Sequence, residues 1–294
     1  MHPRYFRYQL AQTALEIAAV GEVHFDLEGE LFSLFRVQDA VCPHSILLEI
    51  HLLQHSVLET DIRMLTSEHR LYAIPGAWID IAGDYWVGFF NEQAKRFILF
   101  VENRIMLSPA YEAALLLIFR HITKERGTFF HGAGLQIEKR CHLFLAPSGT
   151  GKTTLSMSAQ ERGLPVLSDE MVFVTKKENH FVACSSPFGR ITSGPLEVPL
   201  GGIFFLKQGS TTRFSRVNPS QALARAWQDS YYRDTVLDLF NQKVRFKNRI
   251  VTPAERLKVF NLWQELFSTI PCFEMEFPID FDDWHKLAEL VENA

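Results

Sequence analysis

"APSGTGKTTL" occupies residues 146–155, a glycine-rich stretch that follows an apolar run. Positions 146–153 spell A-P-S-G-T-G-K-T against the phosphate-loop pattern G-x-x-x-x-G-K-[ST], departing from it at Ala146. Such a loop wraps successive backbone N–H groups around an anion and then aims a helix N-terminus at it. Gly149 and Gly151 supply the torsional freedom, Lys152 reaches the β and γ phosphates, and Thr153 offers its hydroxyl to Mg²⁺. Ser148, Thr150 and Thr154 complete the expected phosphate contacts. The pattern carries weight only between a strand and a helix. "CHLFLA" (141–146) reads as the strand, and "KTTLSMSAQER" (152–162) as the helix, closed by Gly163 and Pro165.

Outward from the loop, strands and helices alternate. "FFHGAGLQI" (129–137) precedes it, with a turn at Glu138-Lys139. After it come "PVLS" (165–168), a hairpin "MVFVTKKENHFVAC" (171–184) turning at Glu178-Asn179, and the apolar run "GIFFL" (202–206). Two helices begin at Asn218-Pro219, with Gln221 at the third position, and at Thr252-Pro253, with Glu255 there. A strand "CFEMEF" (272–277) and a C-terminal helix finish the chain. On the N-terminal side, Ser108-Pro109 opens a helix over 109–126. The first hundred residues read as short β segments, at 23–27, 31–37, 84–90 and 96–102, with a hairpin turn at Glu28-Gly29. The expected fold is mixed α/β (α+β): a smaller β-rich domain over 1–105 and a phosphate-loop catalytic domain over 106–294.

Composition narrows the function. A net charge of −4 argues against a general affinity for nucleic acid. The longest strongly apolar run, 113–119, is too short to span a bilayer, and the polar interruptions Gln9, Gln12 and Glu16 argue against a signal peptide. Four cysteines without a CxxC pair suit a reduced compartment, so the expectation is a cytoplasmic protein without a membrane partner. His121, His131 and His142 do not share a helix face at ligand spacing and are not read as a metal site.

The acidic pair Asp169-Glu170 follows Thr153 closely, on what reads as the next strand. Together with "FHG" around His131, the loop "SGTGKT" and "LEVPLGGI" (196–203), this unit resembles the catalytic domain of HPr kinase/phosphorylase, a serine kinase related in its nucleotide site to phosphoenolpyruvate carboxykinase. The resemblance covers about 109–206 and leaves out the first hundred residues. It implies ATP and Mg²⁺ as cofactors, Glu170 as the base for an acceptor hydroxyl, and Asp169 as an orienting group or partner of a metal-bound water. It further implies His131 as a group tuning the acceptor or a phosphate, and Glu197 beside Thr153 as a metal ligand. Glu170 stands where the family has a second aspartate and Pro199 where it has arginine; Arg225, Arg233 and Arg245 are the candidates for its later arginine. These departures point to a divergent kinase rather than a kinase of HPr itself.

The acceptor implied is a hydroxyl on a peptide, a protein or a small molecule. A nucleotide-binding regulator without catalysis and a carboxykinase-like enzyme are the competing readings, and a homo-oligomer stays open. Residues on adjacent strand positions face opposite sides. Asp169 and Glu170 therefore share one site only where the strand ends or bulges. The basic strip "KVRFKNRIV" (243–251) reads as a charged edge strand or as a face for an acidic peptide or nucleotide phosphates, and Arg190 as a nucleotide contact or the end of a turn.

Overall fold

The computed structural model describes residues 4–10, 13–20, 46–52, 78–82, 86–91, 93–101, 127–229, 253–278 and 280–292. The expected strands at 23–27 and 31–37, the Glu28-Gly29 turn, the helix at 109–126 and the basic strip lie outside them, as do His121, Arg233 and Arg245. The chain is a mixed α/β protein, and its contacts gather into two compact units.

One unit holds a six-stranded sheet. Its strands are β1 (Arg4–Leu10), β2 (Thr13–Val20), β3 (Ile46–Leu52), β4 (Trp78–Ala82), β5 (Trp86–Asn91) and β6 (Arg96–Val101), in the order β1-β2-β3-β6-β5-β4. Strands β1 and β2 form an antiparallel pair, Arg4 opposite Ala19 and Leu10 opposite Thr13. The β6 residues Phe97 to Val101 are all buried, so this strand is the apolar spine of the sheet.

The other unit begins with β7 (Gly127–Ile137) and β8 (Arg140–Leu145), and α1 (Lys152–Glu161) follows the glycine-rich loop. Next come β9 (Val166–Ser168), β10 (Met171–Lys177), β11 (His180–Cys184), β12 (Glu197–Gln208) and β13 (Arg213–Val217). Helices α2 (Pro219–Asp229) and α3 (Pro253–Thr269), strand β14 (Cys272–Phe277) and helix α4 (Trp284–Glu292) complete it. The strand order is β11-β10-β7-β8-β12-β14-β13, and β11 also pairs β12, so the ladder returns on itself. Strand β12 runs parallel to both β8 and β14. Aromatic side chains exploit that register: Phe204 stacks on Phe144 at 5.1 Å and on Phe273 at 5.2 Å across three neighbouring strands.

Alternation on these strands separates two faces. Phe144, Phe204, Met275 and Phe277 join Leu155 and Ala159 of α1 and Trp284 and Leu287 of α4 in one apolar cluster. Elsewhere, Trp263 of α3 stacks on Phe130 and donates its indole N–H to the Thr128 hydroxyl at 2.8 Å. That bond satisfies the one polar atom a fully buried tryptophan brings with it. Asn218 caps α2 through its side-chain oxygen, which accepts from the Gln221 N–H at 2.9 Å. The described cysteines, Cys141, Cys184 and Cys272, are buried and free.

His142 is the odd group in this core. It is 1% exposed, and neither ring nitrogen has a hydrogen-bond partner among the described residues. Gly201 leaves the space for it: a Cβ there would lie 2.7 Å from its ring. Burial, with the Arg140 charge behind it, pulls its pKa down to about 4. The unfolded chain binds this proton more tightly than the native state, so stability is full above about pH 6.5 and drains away toward pH 4. Urea unfolding is expected to show a loss of about 2 kcal/mol between pH 7 and pH 5 from this group, absent in His142→Leu.

Candidate functional site

The loop between β8 and α1 has the torsions its glycines foretell, φ 82° at Gly149 and 107° at Gly151. Gly151 is the N-cap of α1 and no side chain caps that helix, so its first N–H groups face the loop. Pro147, Ser148 and Gly149 are exposed, and Thr150, Gly151 and Thr153 half-buried; Thr154 is exposed on the first turn of α1. Lys152 is 6% exposed, its ammonium donating to the Ala146 carbonyl at 2.7 Å and the Pro147 carbonyl at 3.2 Å. Burial lowers its pKa, while the carboxylates of Glu170 and Asp169 work the other way. A concave loop, an uncapped helix start and an inward ammonium fit a phosphate chain. From β12, the Gln208 side-chain amide donates to the Gly149 carbonyl at 3.4 Å, steadying the loop from outside.

Two strands bring the acid and the histidine to the loop. Gly132 of β7 pairs with Leu145, the last strand residue before the loop, and His131 pairs with Met171 of β10. Strand β9 ends at Ser168, so Asp169 and Glu170 occupy a bend rather than a strand. The Ser168 hydroxyl shapes that bend by accepting from the N–H groups of Glu170 at 3.1 Å and Met171 at 3.0 Å. The Gly132 N–H donates to the Glu170 carbonyl at 3.0 Å, and His131 Nδ1 lies 3.1 Å from Glu170 Oε1. His131 beside it, with Lys152 and Arg190 further off, holds the Glu170 carboxyl below its usual range, against the effect of partial burial.

Asp169 turns elsewhere. It is 1% exposed, and Oδ1 accepts from the Arg190 N–H at 2.7 Å and the Ile191 N–H at 3.0 Å. Its lone pairs orient the 189–191 backbone, although its charge still reaches Lys152.

Glu197, expected beside Thr153, is paired with another partner. It opens β12, opposite Cys184, and forms an ion pair with Lys177. Phe205 is the β12 residue that pairs with Leu145, and Glu197 to Phe205 covers roughly 25 Å at about 3.3 Å per residue. Glu197→Gln is therefore expected to leave magnesium–ATP affinity, measured calorimetrically, within about two-fold and to cost under about 1 kcal/mol of stability.

A second group of residues closes the other side of the site. A pocket of ≈ 240 Å³ lies against Ala146 and Pro147 and is lined by His131, Lys207, Arg225 and Glu274. Glu274 lies in the expected strand 272–277, Lys207 just past the expected run 202–206, and Arg225 stood as one of three candidate arginines. Strand pairing, which no local pattern announces, brings these residues to the loop. Among the described residues no cluster of three or more His, Cys, Asp or Glu is arranged to hold a metal, and no helix is long and apolar enough to cross a membrane.

Comparison with known proteins gives a family match in sequence and matches among solved structures. The sequence model described as SynChlorMet cassette protein ScmC matches residues 101–292. No curated protein matches the chain. The HPr(Ser) kinase/phosphatase of Coxiella burnetii is a similar solved structure, at 15% identity and a TM-score of 0.28, over 56% of this chain and 95% of its own.

Proposed function

This chain belongs to the family of SynChlorMet cassette protein ScmC, and we propose that it is an ATP- and Mg²⁺-dependent phosphotransferase acting on an alcohol hydroxyl. The observation that carries the reading is the meeting of Lys152, Glu170 and His131 at the end of β8, beside a loop built for phosphate. A protein that only binds nucleotide needs no carboxylate–histidine pair there.

Phosphoryl transfer through a loose transition state asks mainly for positioning and for neutralised charge. Lys152 and the N–H groups at the start of α1 hold the β and γ phosphates. The Thr153 hydroxyl would hold Mg²⁺, which would supply charge neutralisation to the phosphates. This hard-oxygen ligand suits a cation that keeps most of its water. Glu170 and His131 together accept the proton of the incoming hydroxyl. The oxygen of that hydroxyl bonds to the γ phosphorus, the bond to the β–γ bridging oxygen breaks, and ADP leaves with the electron pair.

The test is incubation of the full chain with γ-labelled ATP and serine-containing peptides, proteins or small alcohols. Label on an acceptor oxygen is expected. Tight nucleotide binding with transfer to none of them would instead favour a regulator.

A further inference from the structure

We propose that the pocket between the phosphate loop and α2 receives a small hydroxy-carboxylate, its carboxylate held by Arg225 and Lys207 and its hydroxyl presented to His131. This deepens, and rests on, the phosphotransferase reading.

Size comes first. At ≈ 240 Å³ the pocket falls below the roughly 300–1,000 Å³ of sites for drug-sized ligands, so it takes a small molecule. Its walls are largely apolar, from Phe130, Leu145, Phe205 and Ala226, and suit a short carbon skeleton.

Charge comes next. The lining carries Lys207 and Arg225 against the single carboxylate of Glu274, an excess of one positive charge with histidine neutral. A monoanion balances that excess, whereas a dianion would meet the Glu274 repulsion without a matching cation. Arg225 Nη1 bonds Glu274 Oε2 at 2.7 Å, and its guanidinium lies 5.8 Å over the Phe205 ring, which fixes the plane of the fork. A guanidinium has five donors, and a planar carboxylate is the partner that uses two of them side by side. Lys207 is 61% exposed and only loosely tied to Glu276 at 3.8 Å, so it is free to swing toward an arriving anion.

The far end of the pocket supplies the direction. Ala146 and Pro147 form part of its wall, and their carbonyls are the two that hold the Lys152 ammonium. His131, in contact with Glu170, also lines it. A ligand anchored at Arg225 therefore places its other end where the γ phosphate and the proton acceptor meet. Its hydroxyl then undergoes the transfer written above, with ATP as phosphoryl donor.

The test needs no turnover. N-acetyl-L-serine and N-acetyl-L-serinamide have nearly the same shape and differ by the charge of the carboxylate. Their affinities for the full chain, free of nucleotide, are measured by saturation-transfer NMR titration. The acid is expected to bind at least about ten-fold more tightly than the amide, one charge-assisted contact's worth. Arg225→Gln is expected to erase that preference, and Glu274→Gln to strengthen acid binding by removing the competing carboxylate. Lys207→Gln, at an exposed position that folding tolerates, is expected to weaken acid binding about three-fold. Equal affinities, no binding of either compound up to about 20 mM, or a preference that survives Arg225→Gln would each overturn the proposal. Separate titration with ATP keeps the two readings distinguishable. A protein that transfers label but shows no acid preference sinks the pocket alone, and one that prefers the acid but binds no ATP sinks the phosphotransferase.

Discussion

Glu170→Gln is expected to slow phosphoryl transfer by about 10²–10⁴-fold while magnesium–ATP affinity stays within about three-fold. The amide keeps the shape of the side chain, which is 45% exposed, so folding has little at stake. The bend that carries it is held by backbone groups and by Ser168, all untouched by the change. What disappears is the charge beside His131. With it goes the pair's ability to take a proton, because a neutral amide neither accepts one at neutral pH nor stabilises an imidazolium. The lowered pKa of Glu170 makes the carboxylate a weak base on its own. That weakness matters little where the transition state is loose and the hydroxyl gives up its proton late. The same depression sets the sign of the pH profile. Glu170 stays ionised through the neutral range, so activity falls on the acid side only below its ordinary pKa of about 4.5, and Glu170→Gln removes that limb. Single-turnover transfer from labelled ATP, alongside calorimetric ATP binding, measures both quantities. Unchanged transfer in the variant would reduce the acidic pair to a structural bend.

The elements legible in the sequence are those written in adjacent residues. The glycines that require positive φ, the strand "CHLFLA" and the helix after Lys152 all rest on local periodicity or local torsion, and they stand where read. The end of β9 was not legible in this way: the acidic pair reads as part of a strand, and only the hydrogen bonds to the Ser168 hydroxyl show that the strand stops before it. Strand β13 escaped because most of its residues are exposed, so no apolar alternation marks it. The pair β1 and β2 escaped because its polar residues read as breaks in an apolar stretch rather than as one face of a ladder. Glu197 shows the deeper difficulty. A short motif placed it at the metal, but β12 runs parallel to β8, and its direction takes Glu197 away from the loop while bringing Lys207 and Gln208 toward it. Arg225 and Glu274 meet only because β14 lies beside β12 and α2 covers that face. Such convergence is a property of strand order, which pairs residues far apart in the chain and leaves no trace at either one.

Asp169→Ala is expected to cost about 3–5 kcal/mol of unfolding free energy, whereas Asp169→Asn costs about 1 kcal/mol. The carboxylate is 1% exposed and accepts two backbone N–H bonds through one oxygen. Each such bond to a charged acceptor contributes about 1.5–3 kcal/mol, and truncation also strands the buried Ile191 N–H. Asparagine keeps a carbonyl oxygen where Oδ1 stands and so keeps both bonds, losing only their charge assistance. The neighbouring backbone is built around this oxygen. Gly189 has φ 106°, and a Cβ there would lie 2.3 Å from Asp169 Oδ1. Gly189→Ala should therefore resemble Asp169→Ala in urea unfolding, since strain and collision act on the same contact. The contrast between alanine and asparagine at position 169 is the informative quantity. A residue that served only to hold a metal would leave the fold of the nucleotide-free protein equally stable in both variants. A residue that orients the 189–191 backbone, and through the bend positions Glu170, separates them by several kcal/mol before any ligand is added.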